Sequence, residues 1–277
     1  MSKELVTGIS SGHLDWKTLE ELFTRCQREW GFQVVEIWSE QVGYPPDRQT
    51  TAELRRLAVK HDMRLAYHAP LHGDYDLAHR DAARAGLVLR EVLRVCGRIG
   101  IEFLVVHLGT NPARERGLRS AMSAFAQNRG LIVKQKTKIV IENVPTVWGD
   151  QVGDRVGDFE AVFRVVDQPW LGLCLDYGHA SLNGNLFEIL EKLGSRLMYT
   201  HVHDNRGEGD DHLGYGMGTI DWSKALRETL KLDFTGPFVI EFPEFHGRDK
   251  AERFLQTLAT FYNERKIIAR QEREKST

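Results

Sequence analysis

Apolar and polar residues follow one another along this chain in two kinds of block. Short runs rich in Val, Ile, Leu and Phe give way to longer stretches in which apolar residues recur every three or four positions. The first kind predicts buried strands and the second amphipathic helices. Strands are predicted at Leu5–Ile9, Phe32–Trp38, Met63–Tyr67, Phe103–Val106, Lys138–Ile141, Leu171–Leu175, Leu197–Tyr199 and Phe238–Ile240. Helices are predicted at Trp16–Trp30 with Asp15 as cap, from Thr50 or Thr51 to Lys60, and at Arg80–Ile99, Arg116–Lys136, Phe159–Val166 and Leu186–Leu193. A further helix is opened by Asp221 and Trp222, and a last one covers Lys250–Tyr262.

Eight strands alternating with eight helices form the α/β pattern of a single (β/α)8 TIM barrel over residues 1–277. An open doubly wound sheet shares the alternation, and the count of eight favours the barrel. No linker or shift of composition divides the chain, and residues 264–277 read as a charged tail that extends the last helix and then frays.

Composition narrows the function classes. The chain has 277 residues, 42% hydrophobic and 27% charged, with a formal charge of −2, so no global basic field draws it to nucleic acid. Cys26, Cys96 and Cys174 lie far apart in apolar or helical runs and are expected to be reduced thiols of a cytoplasmic protein. The first residues lack the apolar segment of a signal peptide, and no run is long enough for a membrane span.

Active sites of such barrels sit at the C-terminal strand ends. Glu36, His68, His107, Glu142, Asp176, His201 and Glu241 fall at or just after the ends of predicted strands two to eight, in order. His203, His179, Asp210 and His212 lie close by, in the segments after strands six and seven. Singly, each has a bland reading: a hydrogen-bonded histidine, an ion-paired glutamate, or, for Asp176, a cap on the next helix. Together they predict a shared divalent-metal site, because converging carboxylates repel unless a cation neutralises them. No serine occupies a nucleophile elbow and no strand ends in lysine, which argues against acyl-enzyme and Schiff-base chemistry. Gly207-Glu-Gly209 and Gly214-Tyr-Gly-Met-Gly218 lack the setting of a dinucleotide fingerprint; they read as a phosphate or sugar contact or as a flexible loop.

Tyr67-His-Ala-Pro70, Val106-His-Leu-Gly109, Ile141-Glu-Asn143, Leu175-Asp-Tyr-Gly-His179, His201-Val-His-Asp204, Asp210-Asp-His212, Gly216-Met-Gly-Thr-Ile220 and Ile240-Glu241 resemble, in order, the xylose isomerase-like barrels. That superfamily holds sugar isomerases and epimerases, inosose and dehydroshikimate dehydratases, and endonuclease IV, known as AP endonuclease family 2. The resemblance implies a metal site of Glu142, Asp176, His201 and Glu241, with His203 an open alternative to His201. The comparison with endonuclease IV implies further ligands at His68, His107, His179, Asp210 and His212, and up to three zinc ions. The segment Ser39–Arg48 lacks the DNA-penetrating residues of that enzyme, and Glu36 in Val-Val-Glu-Ile-Trp is similar to a polyol contact of the sugar isomerases.

The expectation is therefore a metal-dependent isomerase or epimerase of a sugar or related polyol, working through a metal-stabilised enediolate. Zn or Mn is the expected ion, with Mg or Co as substitutes. Glu142 and Glu241 would be the acid–base pair, while Glu36, His68, His107, His179 and Arg206 contact substrate. The alternatives are a zinc phosphodiesterase acting on abasic DNA, a dehydratase of a polyol or shikimate-type substrate, and a non-catalytic binding barrel.

Overall fold

A computed structural model describes residues 5–70, 75–243 and 248–276, with side chains as far as Ile267; the ends of the expected domain, Met1–Glu4 and Thr277, lie outside the described residues. Eight parallel strands close on themselves: β1 Val6–Ser10, β2 Val34–Trp38, β3 Arg64–His68, β4 Phe103–Val106, β5 Lys138–Glu142, β6 Leu171–Asp176, β7 Leu197–Val202 and β8 Pro237–Ile240. Ile9 of β1 stands opposite both Val35 of β2 and Ile240 of β8, so the sheet has no free edge. Around it run α1 Leu19–Thr24, α2 Arg48–Lys60, α3 Ala82–Ile99, α4 Arg114–Gln135, α5 Val156–Val165, α6 Leu186–Leu193, α7 Trp222–Lys231 and α8 Arg248–Ser276. This is the TIM barrel that the sequence predicts.

The pleat explains why the ionisable residues share one end. Successive side chains of a strand point to opposite faces. Val34, Ala66, Val105, Val140, Cys174, Tyr199 and Val239 fill the barrel as one buried cluster. Two residues further along the chain from each stand Glu36, His68, His107, Glu142, Asp176, His201 and Glu241, with His107 and Glu241 one residue past the ends of β4 and β8. Each polar residue is thus the same-face neighbour of an apolar plug residue, one pleat nearer the C-terminal rim. The alternate positions, among them Val35, Ile37, Leu65, Leu104 and Ile141, belong to the larger core between barrel and helices.

Two expected caps move. Thr18, not Asp15, caps α1, accepting the Glu21 N–H at 3.1 Å, and a π turn at Arg25–Glu29 carries the helix on. Asp47, not Thr50 or Thr51, caps α2, accepting the Thr50 N–H at 2.7 Å. Thr50 sits where a first-turn N–H needs an acceptor, so it is the capped residue and not the cap.

The loops after β5 and β6 carry structure that bears on the rim. After β5, a 3-10 turn at Thr146–Trp148 leads into Gln151–Val152, which pairs antiparallel with Gly109–Thr110. After β6, Tyr177–Leu182 forms an unanticipated short helix capped by Asp176, which accepts the His179 N–H at 2.7 Å. The last helix runs on through the expected tail to Ser276. All three cysteines are free and buried, and among the described residues no helix is long and apolar enough to cross a membrane.

Candidate metal centre

Glu142, at the end of β5, is the hub. Its Oε2 lies 3.2 Å from Nε2 of His68 and 3.2 Å from Nε2 of His107; its Oε1 lies 3.4 Å from Nδ1 of His179 and 3.2 Å from Nδ1 of His201. Among the described residues the surrounding groups fall into four sets whose ligand atoms all lie within 4.8 Å of one another: His68, His107 and Glu142; Glu142, Asp176, His201 and Glu241; His179, His203, Asp210 and His212; and Glu142, Cys174 and His201, where burial holds the thiol protonated. Of the two neighbouring histidines, His201 joins the second set. His203 joins the third, while its Nε2 also lies 3.0 Å from the Asp176 carboxylate.

Local structure brings each group in. Asn143 pins the end of β5 to that of β6, its amide donating to the Asp176 carbonyl at 3.0 Å and its oxygen accepting the Asp176 N–H at 2.8 Å. Beyond β7 the chain turns back, with Asp204 bridging antiparallel to Leu213 and its carboxylate accepting from the Asn205 and Ile220 N–H groups and from the Trp222 indole at 2.9 Å. That turn returns Asp210 and His212 to the rim. A Cβ on Gly218 would stand 2.1 Å from the Asn205 carbonyl oxygen, so this glycine serves a close backbone approach.

Which ring nitrogen carries hydrogen follows from the partners. A carbonyl only accepts, so Nδ1 of His68, His179 and His212 donates to Ala69 O at 3.0 Å, Asn143 O at 2.9 Å and Glu241 O at 2.7 Å. The Nε2 lone pair of the neutral ring is then aimed at a carboxylate: Glu142 at 3.2 Å for His68, and Asp210 at 3.3 Å for His179 and 3.2 Å for His212. His201 does the same the other way round. Its Nε2 donates to Glu36 at 2.9 Å, and its Nδ1 faces Glu142 at 3.2 Å and Glu241 at 3.1 Å. Lone pair facing lone pair in a buried site is repulsive unless a proton or a cation lies between them. A tetrahedral ion bound at about 2.05 Å separates its ligand atoms by about 3.3 Å, so these spacings fit a divalent ion. Among the described residues six buried atoms around the centre, His13 Nε2, Glu36 Oε1, His107 Nε2, His201 Nδ1, His203 Nδ1 and Asp210 Oδ1, have no hydrogen-bond partner.

The proton affinities express the same negative potential. Burial lowers the affinity of the His68 imidazole, but Glu142, with Glu36 and Glu241, overrides it and holds His68 up at about 9. His212 is likewise held up at about 9 against burial, by Asp210 and Glu241, and His179 and His201 are also raised. The two glutamates part company. Burial pushes Glu142 up, yet the surrounding imidazoles prevail and keep it ionised, whereas burial and the neighbouring carboxylates push Glu241 up to about 8.

Three side chains depart from expectation. Glu36 is fully buried behind His201 and orients that ring, where a polyol contact was expected at the rim. Arg206 is exposed, its described hydrogen bond is that of its backbone N–H to Asp211, and it is not among the groups brought together. His13, in the turn after β1, is a member that the sequence reading misses. Its ring stacks on His212 at 4.7 Å, its Nε2 lies 4.0 Å from Glu241, and burial among three other imidazoles lowers it to about 2. The signal was present, since His13 also closely follows a strand end.

A family model described as a xylose isomerase-like TIM barrel matches residues 27–263. This chain belongs to the xylose isomerase-like TIM barrel family. Within the family its sequence is 26% identical over 249 residues to an uncharacterized protein of Methanocaldococcus jannaschii, covering 86% of this chain and 84% of that one. It is also 26% identical over 253 residues to a probable endonuclease 4 of Cenarchaeum symbiosum, covering 84% and 86%. Among solved structures, a D-tagatose 3-epimerase-like protein superposes with a TM-score of 0.80 at 24% identity, over 94% of this chain and 99% of the other. At that identity the likeness establishes the fold.

Proposed function

We propose that this chain is a metal-dependent epimerase or isomerase of a sugar or related polyol. The observation that carries the reading is the set Glu142, Asp176, His201 and Glu241, whose ligand atoms all lie within 4.8 Å of one another, so that two carboxylates from separate strand ends, those of β5 and β8, meet at one site. Two carboxylates beside one substrate suit one base and one acid. Glu142, ionised, takes the proton from the carbon beside a substrate carbonyl, and the electron pair moves into the carbonyl to give an enediolate. Glu241 returns a proton: to the opposite face of the same carbon for an epimerase, or to the neighbouring carbon for an isomerase, in which case the hydroxyl proton also passes from one oxygen to the other. Glu142, Asp176, His201 and Glu241 would hold the ion, Zn or Mn, with Mg or Co as substitutes. When bound it supplies polarisation of the two adjacent substrate oxygens, lowering the cost of that charge. His68, His107 and His179 line the mouth as partners for hydroxyls. We read the setting as cytoplasmic, in keeping with three unpaired thiols.

One observation favours a second reading. Glu142 turns one oxygen to each of two groups of histidines, and His179, His203, Asp210 and His212 form a further candidate set, as a zinc phosphodiesterase acting on abasic DNA would need.

The deciding experiment counts metal in the purified protein and follows solvent hydrogen. About one ion per chain, with hydrogen entering a ketose from water, supports the sugar reading. Loss of water from the substrate instead marks a dehydratase. About three zinc ions per chain with cleavage of a duplex carrying an abasic site overturns it.

A further inference from the structure

We infer that Trp148 is the aromatic wall on which the substrate's C–H face stacks, an inference that rests on the sugar reading above. Most large apolar side chains among the described residues are buried, yet Trp148 is 42% exposed, and it stands beside the imidazoles of the rim. Its ring centroid lies 5.3 Å from that of His179 and 5.9 Å from that of His107. It therefore stands over members of two of the ligand sets at once.

The loop that carries it is held in place. The Trp148 N–H donates to Pro145 O at 3.3 Å, and the Thr146 N–H donates to the Asn183 side chain at 2.8 Å. Asn183 in turn donates to Val144 O at 2.9 Å. Past the turn, Gly149 takes φ +91°, open to glycine, and the chain enters the ladder with Gly109–Thr110. A braced loop that presents an indole to solvent above a ring of imidazoles is the arrangement of a binding wall, since the exposed apolar face gains burial only when something lies against it.

A second indole stands further round the same rim. The Trp38 ring, half-buried at the end of β2, lies 5.6 Å from His68 and 5.2 Å from His13, and His68 meets His107 edge-on at 5.2 Å. The row Trp38, His68, His107, Trp148 thus follows the rim from β2 to the loop after β5, with an indole at each end and imidazoles between. A ketose chain or ring has this character. Its hydroxyls turn toward the imidazoles, and its C–H groups present an apolar face to an indole.

The test is the split between KM and kcat in the metal-loaded protein, with solvent-hydrogen exchange into D-fructose and other ketoses as the assay. Trp148→Ala is expected to raise KM about tenfold and leave kcat within about threefold, because stacking binds substrate and transition state alike. Trp148→Phe, which keeps an aromatic face, restores KM to within about threefold of wild type. Val147→Ala, beside it and 55% exposed, changes neither constant. Metal content and Tm of each variant are measured alongside. If Trp148→Ala does not fold, Trp148→Leu takes its place, with the same rise in KM expected. A wild-type KM in Trp148→Ala or Trp148→Leu, or a fall in kcat alone, overturns the stacking role while leaving the sugar reading intact. A wild-type protein that exchanges hydrogen into no ketose overturns both.

Discussion

Two glutamates fully buried at one rim do different work, and their surroundings say which. Glu142 is ringed by four imidazoles, while Glu36 touches His201 from behind. Glu142→Gln keeps the shape but removes both the negative charge that gathers the cation and the group that accepts the proton. Turnover is expected to fall by about three orders of magnitude or more, and bound metal to fall with it. Full turnover in that variant removes Glu142 from the mechanism. Glu36→Gln should behave otherwise. The amide oxygen still accepts from His201 Nε2, but the negative charge behind the ring is gone, so metal affinity weakens by about tenfold to a hundredfold while KM at saturating metal stays near wild type. A direct contact with substrate hydroxyls, which the sequence suggests for Glu36, would give the opposite pattern, with KM raised and metal affinity kept.

At the scale of elements, the helix that follows β6 shows how closely backbone and site are fitted. Asp176 caps Tyr177–Leu182, so the bland reading of this residue, a capping carboxylate, holds together with its place in the four-residue set. Inside that helix, a Cβ on Gly178 would stand 2.0 Å from His203 Cε1. Gly178→Ala favours the helix by up to about 1 kcal/mol in propensity, yet it pushes His203 away from Asp176 and Asp210. The expected outcome is a protein of undiminished helix content that binds fewer metal ions per chain; an unchanged metal count would exclude His203 from the third set. Much at this scale is legible in the sequence. Strand order and the sharing of one rim follow from apolar runs ending in a polar residue, because the pleat places residues such as Val140 and Glu142 on one face. Caps are less legible. Asp15 and Asp47 have equal claims as letters, and only the path of the chain decides which carboxylate meets an open N–H. Trp148 is not legible at all, since nothing in Pro-Thr-Val-Trp-Gly says that the loop folds back over His107 and His179.

For the whole molecule, the closed sheet links this rim to stability, because a residue at or just past the end of every strand from β2 to β8 supplies one of its groups. In the metal-free protein His68 and His212 are raised to about 9 from an ordinary 6.5, and His179 and His201 are raised as well. Each binds its proton more tightly folded than unfolded. The stability this gives is complete below pH 6.5 and is lost as pH climbs through the folded value. Glu241, raised from 4.5 to about 8, adds in the same direction over the lower part of that range. His13, His107 and His203 are lowered, so their contribution changes below 6.5, and the lowered carboxylates Glu142, Asp176 and Asp210 act at still lower pH. From pH 6.5 to 9 the resolved shifts around the centre therefore agree in sign, and the metal-free barrel should lose Tm steadily across that interval. A divalent ion takes the place of the bound protons, so its affinity rises over the same interval. At about a thousand times its Kd an ion adds about 4 kcal/mol, which for a chain of this length raises Tm by roughly 10 °C. Thermal melts in chelator and in excess Zn or Mn at several pH values should give two curves that diverge as pH rises. Curves that coincide, or that converge toward pH 9, would mean that protons alone hold these imidazoles and carboxylates together.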